Sequence, residues 1–209
     1  MLIGLYGGTF DPVHRGHTHA ACAVMDVLGF CRVNMVLAAR PGHREAPDSQ
    51  AQHRWKMLKL ACASEPGLVA DDRELHRTGP SYTVTTVEDI RREDETQVPC
   101  WILGQDAFAT LPIWHRWMEL LDFCNLIVTL RPGDNRAEPE PVQALCAERE
   151  VTTLDRTSVG QILRVDVPML NLSATQIRHR VQVSEPFAHL LDPAVYDYIM
   201  RHGLYRDSL

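Results

Sequence analysis

The chain has 209 residues, of which 45% are hydrophobic, and its formal net charge at pH 7 is −6. This length and composition predict one compact domain with a substantial core, or one domain with an appended subdomain. The negative charge argues against a general nucleic-acid binder, which usually carries a basic face, so local arginines would have to hold an anionic ligand.

Short apolar runs alternate with amphipathic stretches along most of the chain. The runs that predict buried strands are residues 2–6, 32–39, 68–71, 98–103, 125–130 and 163–167. Helical patterns cover residues 16–28, 50–64, 82–92, a segment ending at 150, 173–181 and 193–202. Ser81 is the expected N-cap of the third helix. Repeated βα units predict an α/β fold with a doubly wound parallel sheet and right-handed crossovers.

The first predicted strand leads into residues 7–17, which read GGTFDPVHRGH. We expect Gly7 and Gly8 to form a turn whose backbone can approach a phosphate, followed by a helix whose N-terminal N–H groups favour an anion. His14 and His17 can donate hydrogen bonds to phosphate oxygens as negative charge builds up. A metal site from His14, His17 and His19 is an alternative, but no cluster of cysteines or carboxylates with ligand spacing lies nearby.

Two further segments fit the same site. Residues 104–106, Gly-Gln-Asp, follow a buried strand, and a doubly wound sheet binds ligands at the carboxyl ends of its strands. Residues 172–178, LSATQIR, place Ser173 and Thr175 at a helix start with Arg178 one turn later, so all three can converge on a polyphosphate. Ordinary helix capping explains Asp106 and Ser173 equally well, but it does not explain Arg178.

Residues 79–83, GPSYT, with Thr86 one turn later, indicate a second ligand site. A helix N-terminus that carries hydroxyls suits a carboxylate, although a well-capped structural helix has the same pattern. Trp114 and Trp117 are three residues apart and are expected to share one helical face. Such pairs are more often part of a core, but an exposed indole can stack on an aromatic base or a pyridinium ring.

In this order, the segments resemble bacterial nicotinate-nucleotide adenylyltransferases of the HxGH nucleotidyltransferase superfamily. The resemblance runs nearly end to end, and it also includes His43-Arg44, Arg54, Met57, the RPG of residues 131–133, Val195, Tyr198-Ile199 and Gly203-Leu204-Tyr205. In one departure, Arg40-Pro41-Gly42 precedes His43 where the family more often has two prolines.

The resemblance implies a Rossmann-like nucleotidyltransferase fold with a small C-terminal helical region. It implies a single domain over residues 1–209, with a core to about residue 132 and a subregion from about 133 that carries SATxIR. The implied reaction is transfer of AMP from ATP to nicotinate mononucleotide, with Mg²⁺ carried by ATP and no metal ligands from the protein. No nucleic-acid or membrane partner is implied, and a homodimer is the commonest default.

The resemblance also assigns residues to roles. His14, His17 and Arg178 would be catalytic. The ATP-binding residues would be Gly7, Gly8, Thr9, Phe10, Gly104, Asp106, Ser173 and Thr175. The residues for nicotinate mononucleotide would be Tyr82, Thr83 and Thr86 at the carboxylate, Trp114 on the pyridine ring and Arg44 near the phosphates.

Three alternatives stay open at this point. The acceptor could be another phosphorylated compound, such as nicotinamide mononucleotide or phosphopantetheine. A class I tRNA ligase shares an HxGH-like element, but the chain has no room for an anticodon-binding domain. A nucleotide-binding protein without turnover is a third reading, since a fold does not fix a function.

The cysteines and the first residues predict the compartment. The six cysteines form no CxxC pair and lie mostly in apolar stretches, which predicts buried thiols in a reducing environment. The first strand begins at once, and no apolar run approaches the length of a membrane span. We therefore expect a cytoplasmic protein.

Overall fold

The computed structural model describes residues 1–42, 47–130 and 137–206. Within them, seven strands form one sheet in which every neighbouring pair is parallel, in the order β3-β2-β1-β4-β5-β7-β6. The strands are β1 (Leu2–Gly8), β2 (Val33–Leu37), β3 (Leu68–Asp71), β4 (Val98–Gly104), β5 (Asn125–Leu130), β6 (Glu150–Val151) and β7 (Ile162–Asp166). The expected doubly wound α/β fold is confirmed.

Helices connect most of these strands. They are α1 (Arg15–Leu28), α2 (Ala51–Ala63), α3 (Thr83–Glu93), α4 (Gln105–Ala109), α5 (Leu120–Phe123), α6 (Glu140–Arg149), α7 (Ala174–Gln182) and α8 (Pro193–His202). Short 3₁₀ turns lie at Arg73–Leu75, Leu111–Ile113, Trp117–Glu119 and Ala188–Leu190. Among the helices of the described residues, none has the length and the apolar run needed to cross a bilayer.

Side chains alternate between the two faces of the sheet along each strand, and helices cover both faces. Met35 and Leu37 of β2 join a core that is completed by α1, α2, α7 and α8. Val36 points to the other face and joins a second core, which includes residues of α3, α4, α5 and α6. The near-continuous apolar runs read in the sequence therefore correspond to strands buried on both sides.

Two local expectations, the Gly7-Gly8 turn and the Ser81 helix cap, were wrong. Gly7 and Gly8 end β1 instead of forming a turn, and they pair in register with residues of β2. Ser81 is not a helix cap, because α3 begins one residue later with Tyr82 as its N-cap. The Ser81 hydroxyl instead accepts a hydrogen bond from the Arg40 N–H at 3.1 Å.

The tryptophans Trp114 and Trp117 do not share a helical face. Trp114 has extended backbone and ends one 3₁₀ turn, while Trp117 begins another. Arg116 between them is left-handed, with φ 51°. The short strand β6 was not anticipated either.

The cysteines confirm the expectation only in part. All six lie in described residues and are free, and three of them, Cys62, Cys100 and Cys124, are buried. Cys22 and Cys146 are half-buried, whereas Cys31 is exposed. The prediction that the thiols are buried is therefore wrong for Cys31.

The direction of winding reverses between β1 and β4. The chain runs outward from β1 to β2 and β3 on one side, and from β4 to β5 and β7 on the other. Loops after two such strands leave in opposite directions and open a crevice at their carboxyl ends, where ligands bind in folds of this kind.

Candidate active site

A cleft of about 660 Å³ opens at this crevice. Its floor includes the last residues of β1 and β4, Gly7, Gly8 and Gly104. The N-terminal ends of three helices border it, since His14 and His17 of the α1 start, Thr83 of α3 and Ser173 to Thr175 of the α7 start line its walls. Unpaired N–H groups at three helix N-termini favour anionic ligands.

The two glycines of β1 are required by packing inside the protein as well as by access to the cleft. A Cβ on Gly7 would lie 2.2 Å from Cζ2 of Trp101, and a Cβ on Gly8 would lie 2.7 Å from the Phe10 ring. Both aromatic residues also line the cleft. The Gly-Gly pair therefore lets two rings approach the floor of the site.

Gly7→Ala is expected to destabilise the protein by about 1–3 kcal/mol, since the added methyl group overpacks against the buried Trp101 ring. Gly104→Ala is the matched control, because it also ends a strand at the cleft but, among the described residues, its Cβ would meet only Thr129 Oγ1, at 3.9 Å. Urea unfolding of the three proteins without ligand measures the difference. Equal losses in the two variants would contradict the packing role of Gly7.

His14 and His17 form a stacked pair at the start of α1. Their ring centroids are 3.7 Å apart, with an angle of 24° between the planes. The backbone N–H of His14 donates to Nδ1 of His17 at 3.2 Å. Because Nδ1 accepts this bond, the neutral His17 ring carries its proton on Nε2, and Nε2 is the nitrogen left to donate to a ligand.

Burial keeps both rings uncharged at neutral pH. It lowers the pKa of His14 to about 4 and holds the pKa of His17 well below its usual range, where the neighbouring His14 adds to the effect. Nδ1 of His14 is buried and has no hydrogen-bond partner among the described residues. The pair therefore presents polar ring nitrogens to the cleft without a permanent positive charge.

Arg178 supplies positive charge at the same cleft. It lies in the second turn of α7, and its Nη1 donates to the backbone oxygen of Asp11 at 2.9 Å. Its Nε also forms an ion pair with Asp48, whose side chain is 53% exposed. An anion in the cleft would compete with the Asp48 carboxylate for this guanidinium.

Asp11 connects three segments around the cleft. Its carboxylate accepts hydrogen bonds from the Asp48 N–H at 2.7 Å, the Ser49 hydroxyl at 2.5 Å and the Tyr205 hydroxyl at 2.7 Å. Burial raises the pKa of Tyr205, and the nearby Asp11 adds to this effect. Asp11 thus fixes the turn after β1 to the start of α2 and to the segment after α8.

Arg54 is a second buried link, with 1% of its surface exposed. Its guanidinium donates to the backbone oxygens of Thr9, Ala38, Ala39 and Ser49, at distances of 2.8 to 3.2 Å. Burial lowers its pKa, and nearby Asp11 opposes that shift. One side chain therefore holds together the segments that leave β1 and β2.

The start of α3 forms another end of the cleft. Thr83 lines it together with Ser81 and Trp114, and the indole N–H of Trp114 donates to the Thr110 hydroxyl at 3.3 Å. Tyr82 stacks on His115 instead, with ring centroids 4.1 Å apart, at a small adjoining pocket. This wall combines a helix N-terminus with an aromatic surface.

Most of the predicted residues come together around this cleft. Those that line it are Gly7, Gly8, Thr9, Phe10, His14, His17, Thr83, Gly104, Trp114, Ser173, Thr175 and Arg178. Three others lie beside it. Asp106 is in the first turn of α4, next to lining residue Gly104, Tyr82 borders the adjoining pocket, and Thr86 is fully buried behind the wall.

Arg44 and Ser173 complete the set of predicted residues. Arg44 lies outside the described residues, so its role stays a prediction. Ser173 does act as a helix cap, the alternative reading of its segment, because its hydroxyl accepts the Gln176 N–H at 3.1 Å, while its predicted role in ATP binding stays a prediction. This bond leaves Ser173 on the wall of the cleft.

The sequence reasoning missed the acidic residues of the site. Asp11, Asp48 and Glu74 all line the cleft, and Asp11 and Glu74 are buried. Asp11 stood inside the GGTFDPVHRGH string as its single carboxylate, which was an available signal. Glu74 had no local signal, because its partners come from other elements.

Comparisons with known proteins show the family of the chain. The cytidylyltransferase-like family model matches residues 5–180 of the chain. A Serratia proteamaculans relative named "Probable nicotinate-nucleotide adenylyltransferase" is 44% identical, over 99% of this chain and 96% of the relative. A Chromobacterium violaceum relative of the same name is 41% identical, over 98% of each.

A solved structure supports the fold independently. The Plasmodium falciparum nicotinic acid mononucleotide adenylyltransferase complexed with NaAD matches with a TM-score of 0.76. The match covers 98% of this chain and 97% of that one, at 17% sequence identity. At this identity the likeness shows the fold.

Proposed function

The chain belongs to the nicotinate-nucleotide adenylyltransferases of the cytidylyltransferase-like family, and we propose on this basis that it transfers AMP from ATP to nicotinate mononucleotide. The products are nicotinate adenine dinucleotide and pyrophosphate, a step of NAD biosynthesis. The observation that carries the proposal is one cleft lined by His14, His17 and Arg178 on one part of its wall and by the start of α3 on another.

ATP is proposed to lie across the ends of β1 and β4. Its triphosphate would contact the segment from Gly7 to Phe10, the two histidines, and Ser173 and Thr175 at the start of α7. Gly104 and Asp106 would hold the ribose and adenine at the end of β4. The chain as a whole is negatively charged, so donors at the site itself must attract the anionic triphosphate. Backbone N–H groups and neutral side-chain donors suit this task.

The reaction needs positioning and charge stabilisation more than proton transfer. An oxygen of the acceptor's 5′-phosphate forms a bond to the α-phosphorus, and the bond from that phosphorus to the bridging oxygen of pyrophosphate breaks. The attacking phosphate has a second pKa near ~6 and is already largely dianionic at pH 7, so no general base is required. Catalysis then follows from in-line alignment and electrostatic stabilisation.

His14 and His17 are proposed to donate hydrogen bonds to the α- and β-phosphate oxygens. Neutral imidazoles suit this role, since a donor with a low pKa stays in place without a counter-ion before ATP binds. Arg178 would stabilise the leaving pyrophosphate. The exposed Asp48 carboxylate would give up its ion pair with this guanidinium when the phosphates arrive.

The acceptor is proposed to bind at the start of α3. Its carboxylate would be recognised by the free N–H groups of the first helical turn, near Tyr82 and Thr83, with Thr86 supporting that turn from behind. The pyridine ring would stack on Trp114. Arg44 is proposed to reach the acceptor phosphate.

ATP is proposed to enter as its Mg²⁺ complex. Among the described residues, no group of three histidine, cysteine or acidic side chains is placed to hold a metal ion. Mg²⁺ readily keeps several waters and binds through phosphate oxygens, which supports the triphosphate as its carrier. The proposed partners are thus ATP and the acceptor nucleotide, with a homodimer as the default assembly and the cytoplasm as the compartment.

The test is pyrophosphate release from Mg-ATP with nicotinate mononucleotide, nicotinamide mononucleotide and phosphopantetheine offered separately. We expect a strong preference for the nicotinate compound, because a carboxylate is favoured at a helix N-terminus and an amide much less. Equal rates with the acid and the amide would overturn the carboxylate site. ATP binding without turnover on any acceptor would overturn the reaction.

A further inference from the structure

Glu74 is a buried carboxyl group in the wall of the cleft, with only 4% of its surface exposed. It lies in the 3₁₀ turn after β3, and its Oε1 accepts a hydrogen bond from the Thr86 hydroxyl at 2.5 Å. Its Oε2 is also buried but has no hydrogen-bond partner of normal geometry among the described residues. A buried oxygen without a partner is costly and calls for a physical explanation.

No neighbouring cation fully balances the negative charge that an ionised Glu74 would carry among the described residues. Burial is the largest influence and raises its pKa, while the Ser81 hydroxyl, the Ala39 N–H and the Arg77 guanidinium favour the ionised form to a smaller extent. Arg77 is already engaged, because its Nη2 pairs with Asp89 at 2.6 Å and its Nη1 donates to the Thr86 hydroxyl at 3.2 Å.

The other charged groups on neighbouring segments are directed elsewhere. Arg73, in the same 3₁₀ turn, pairs with Asp71 of β3 and with Glu93 of α3. Arg40, after β2, donates to the backbone oxygen of Arg77 at 2.7 Å. None of these hydrogen bonds or ion pairs reaches Oε2 of Glu74.

Glu74 borders the acceptor end of the cleft. Through Thr86 it is attached to the second turn of α3, and Ser81 and Thr83, which lead into the first turn, line the same cleft. The proposed position of the acceptor's carboxylate is the N-terminal end of that helix. Two carboxyl groups that share a buried site cannot both ionise without a large penalty.

We propose that Glu74 is a specificity-determining residue that takes up one proton when the carboxylate of the acceptor nucleotide occupies the start of α3, but not when the corresponding amide does. The proton comes from solvent and binds to Oε2, which becomes a hydrogen-bond donor. The negative charge beside the substrate is removed at the same time. This inference rests on the proposed function and names the group that senses the acceptor's charge.

The consequence is a pH-dependent preference for the acid. As pH rises, a larger fraction of Glu74 is ionised, and binding the acid then requires proton uptake against a lower proton concentration. The ratio of kcat/KM for nicotinate mononucleotide to that for nicotinamide mononucleotide should fall with rising pH, at most tenfold per pH unit. Titrations of ATP, of the acceptor phosphate and of the histidines affect both substrates and largely cancel in the ratio.

The experiment measures this ratio between pH 6 and 9 in the wild-type protein and in Glu74→Gln. Gln keeps the shape of the side chain but cannot ionise, so its ratio should be constant, whereas the wild-type ratio should fall roughly tenfold or more over this range. Glu93→Gln is the matched control, because Glu93 lies at the end of α3, the helix that contacts Glu74 through Thr86, and its side chain is 64% exposed. That variant should follow the wild type.

Calorimetry keeps the test decisive if Glu74→Gln does not fold. Binding heats of the two nucleotides to the wild-type protein, measured in buffers of different ionisation enthalpy, give the protons taken up, and the acid should take up about one more than the amide at a pH where Glu74 is ionised. A wild-type ratio that is flat with pH, together with equal proton uptake, would overturn the role of Glu74. Absence of turnover with both nucleotides would instead overturn the proposed function.

Discussion

His17→Ala is expected to lower kcat by on the order of 10²-fold or more, the scale for losing one preorganised donor to a developing charge. Nδ1 of His17 accepts the His14 N–H, so Nε2 is the nitrogen free to stabilise a phosphate oxygen. The KM for ATP should change less, because the lost bond strengthens mainly as charge shifts during the reaction. Initial rates of pyrophosphate release over a range of ATP concentrations separate the two quantities.

Two further variants distinguish a lost donor from lost packing. The His17 ring stacks on His14 and meets the Phe10 ring edge-on at 5.1 Å, so alanine also removes aromatic contacts. His17→Phe keeps a ring but has no N–H, and it should lose as much kcat as alanine does. His19→Ala changes a histidine of the same helix that does not line the cleft, and it should leave kcat near the wild-type value. Normal turnover in a folded His17→Phe protein would remove the donor role.

Arg54→Met is expected to lower the free energy of unfolding by about 3–5 kcal/mol, the range for removing one partner from a buried charged network. Methionine fills much of the space but leaves four backbone oxygens that lose a donor. Each buried acceptor without a partner costs about 1–3 kcal/mol, although water can reach some of them. Urea unfolding of the ligand-free protein measures the loss.

Two further variants, Arg54→Lys and Lys56→Met, test the cause of this expected loss of stability. Arg54→Lys keeps the charge but cannot reproduce the planar set of donors, so its stability should lie between those of the wild type and Arg54→Met. Lys56→Met makes a similar change at an exposed position of α2 and should alter stability by less than about 0.5 kcal/mol. A loss in Arg54→Met no larger than in Lys56→Met would show that the four hydrogen bonds contribute little.

The sequence was a good guide wherever the signal was local. The runs that became β2 and β5 are mostly apolar because both faces of the sheet are covered, and such runs can be read without knowing their neighbours. The histidines of the HxGH element are similar, since three residues along one helix start bring them together whatever the rest of the chain does.

The errors arose where distant contacts decide the local conformation. Ser81 has the composition of a helix cap, yet its hydroxyl bonds to Arg40, 41 residues away, and the helix begins one residue later. The tryptophan segment has a helical spacing, but Pro112 lies in a 3₁₀ turn and Arg116 adopts a left-handed conformation, so the helix is interrupted. Propensity cannot anticipate either effect, because each depends on tertiary packing.

The acidic residues of the site illustrate the same limit. Glu74 owes its environment to Thr86 of α3 and to Ser81 just before that helix, which are 12 and seven residues away along the chain. Its neighbours in sequence, Arg73 and Leu75, give no hint that one carboxylate oxygen lacks a partner. A residue of this kind becomes a candidate only after the elements are assembled.

The hydrogen bond from Tyr205 to Asp11 spans 194 residues and bears on how the protein is made. A ribosome synthesises the turn that contains Asp11 long before it synthesises the tyrosine that anchors this turn. Until residue 205 has been synthesised and has left the ribosome, the Asp11 carboxylate lacks the tyrosine donor and depends on the donors of Asp48 and Ser49. Synthesis from one end to the other thus delays the completion of this hydrogen-bond network until Tyr205 has emerged.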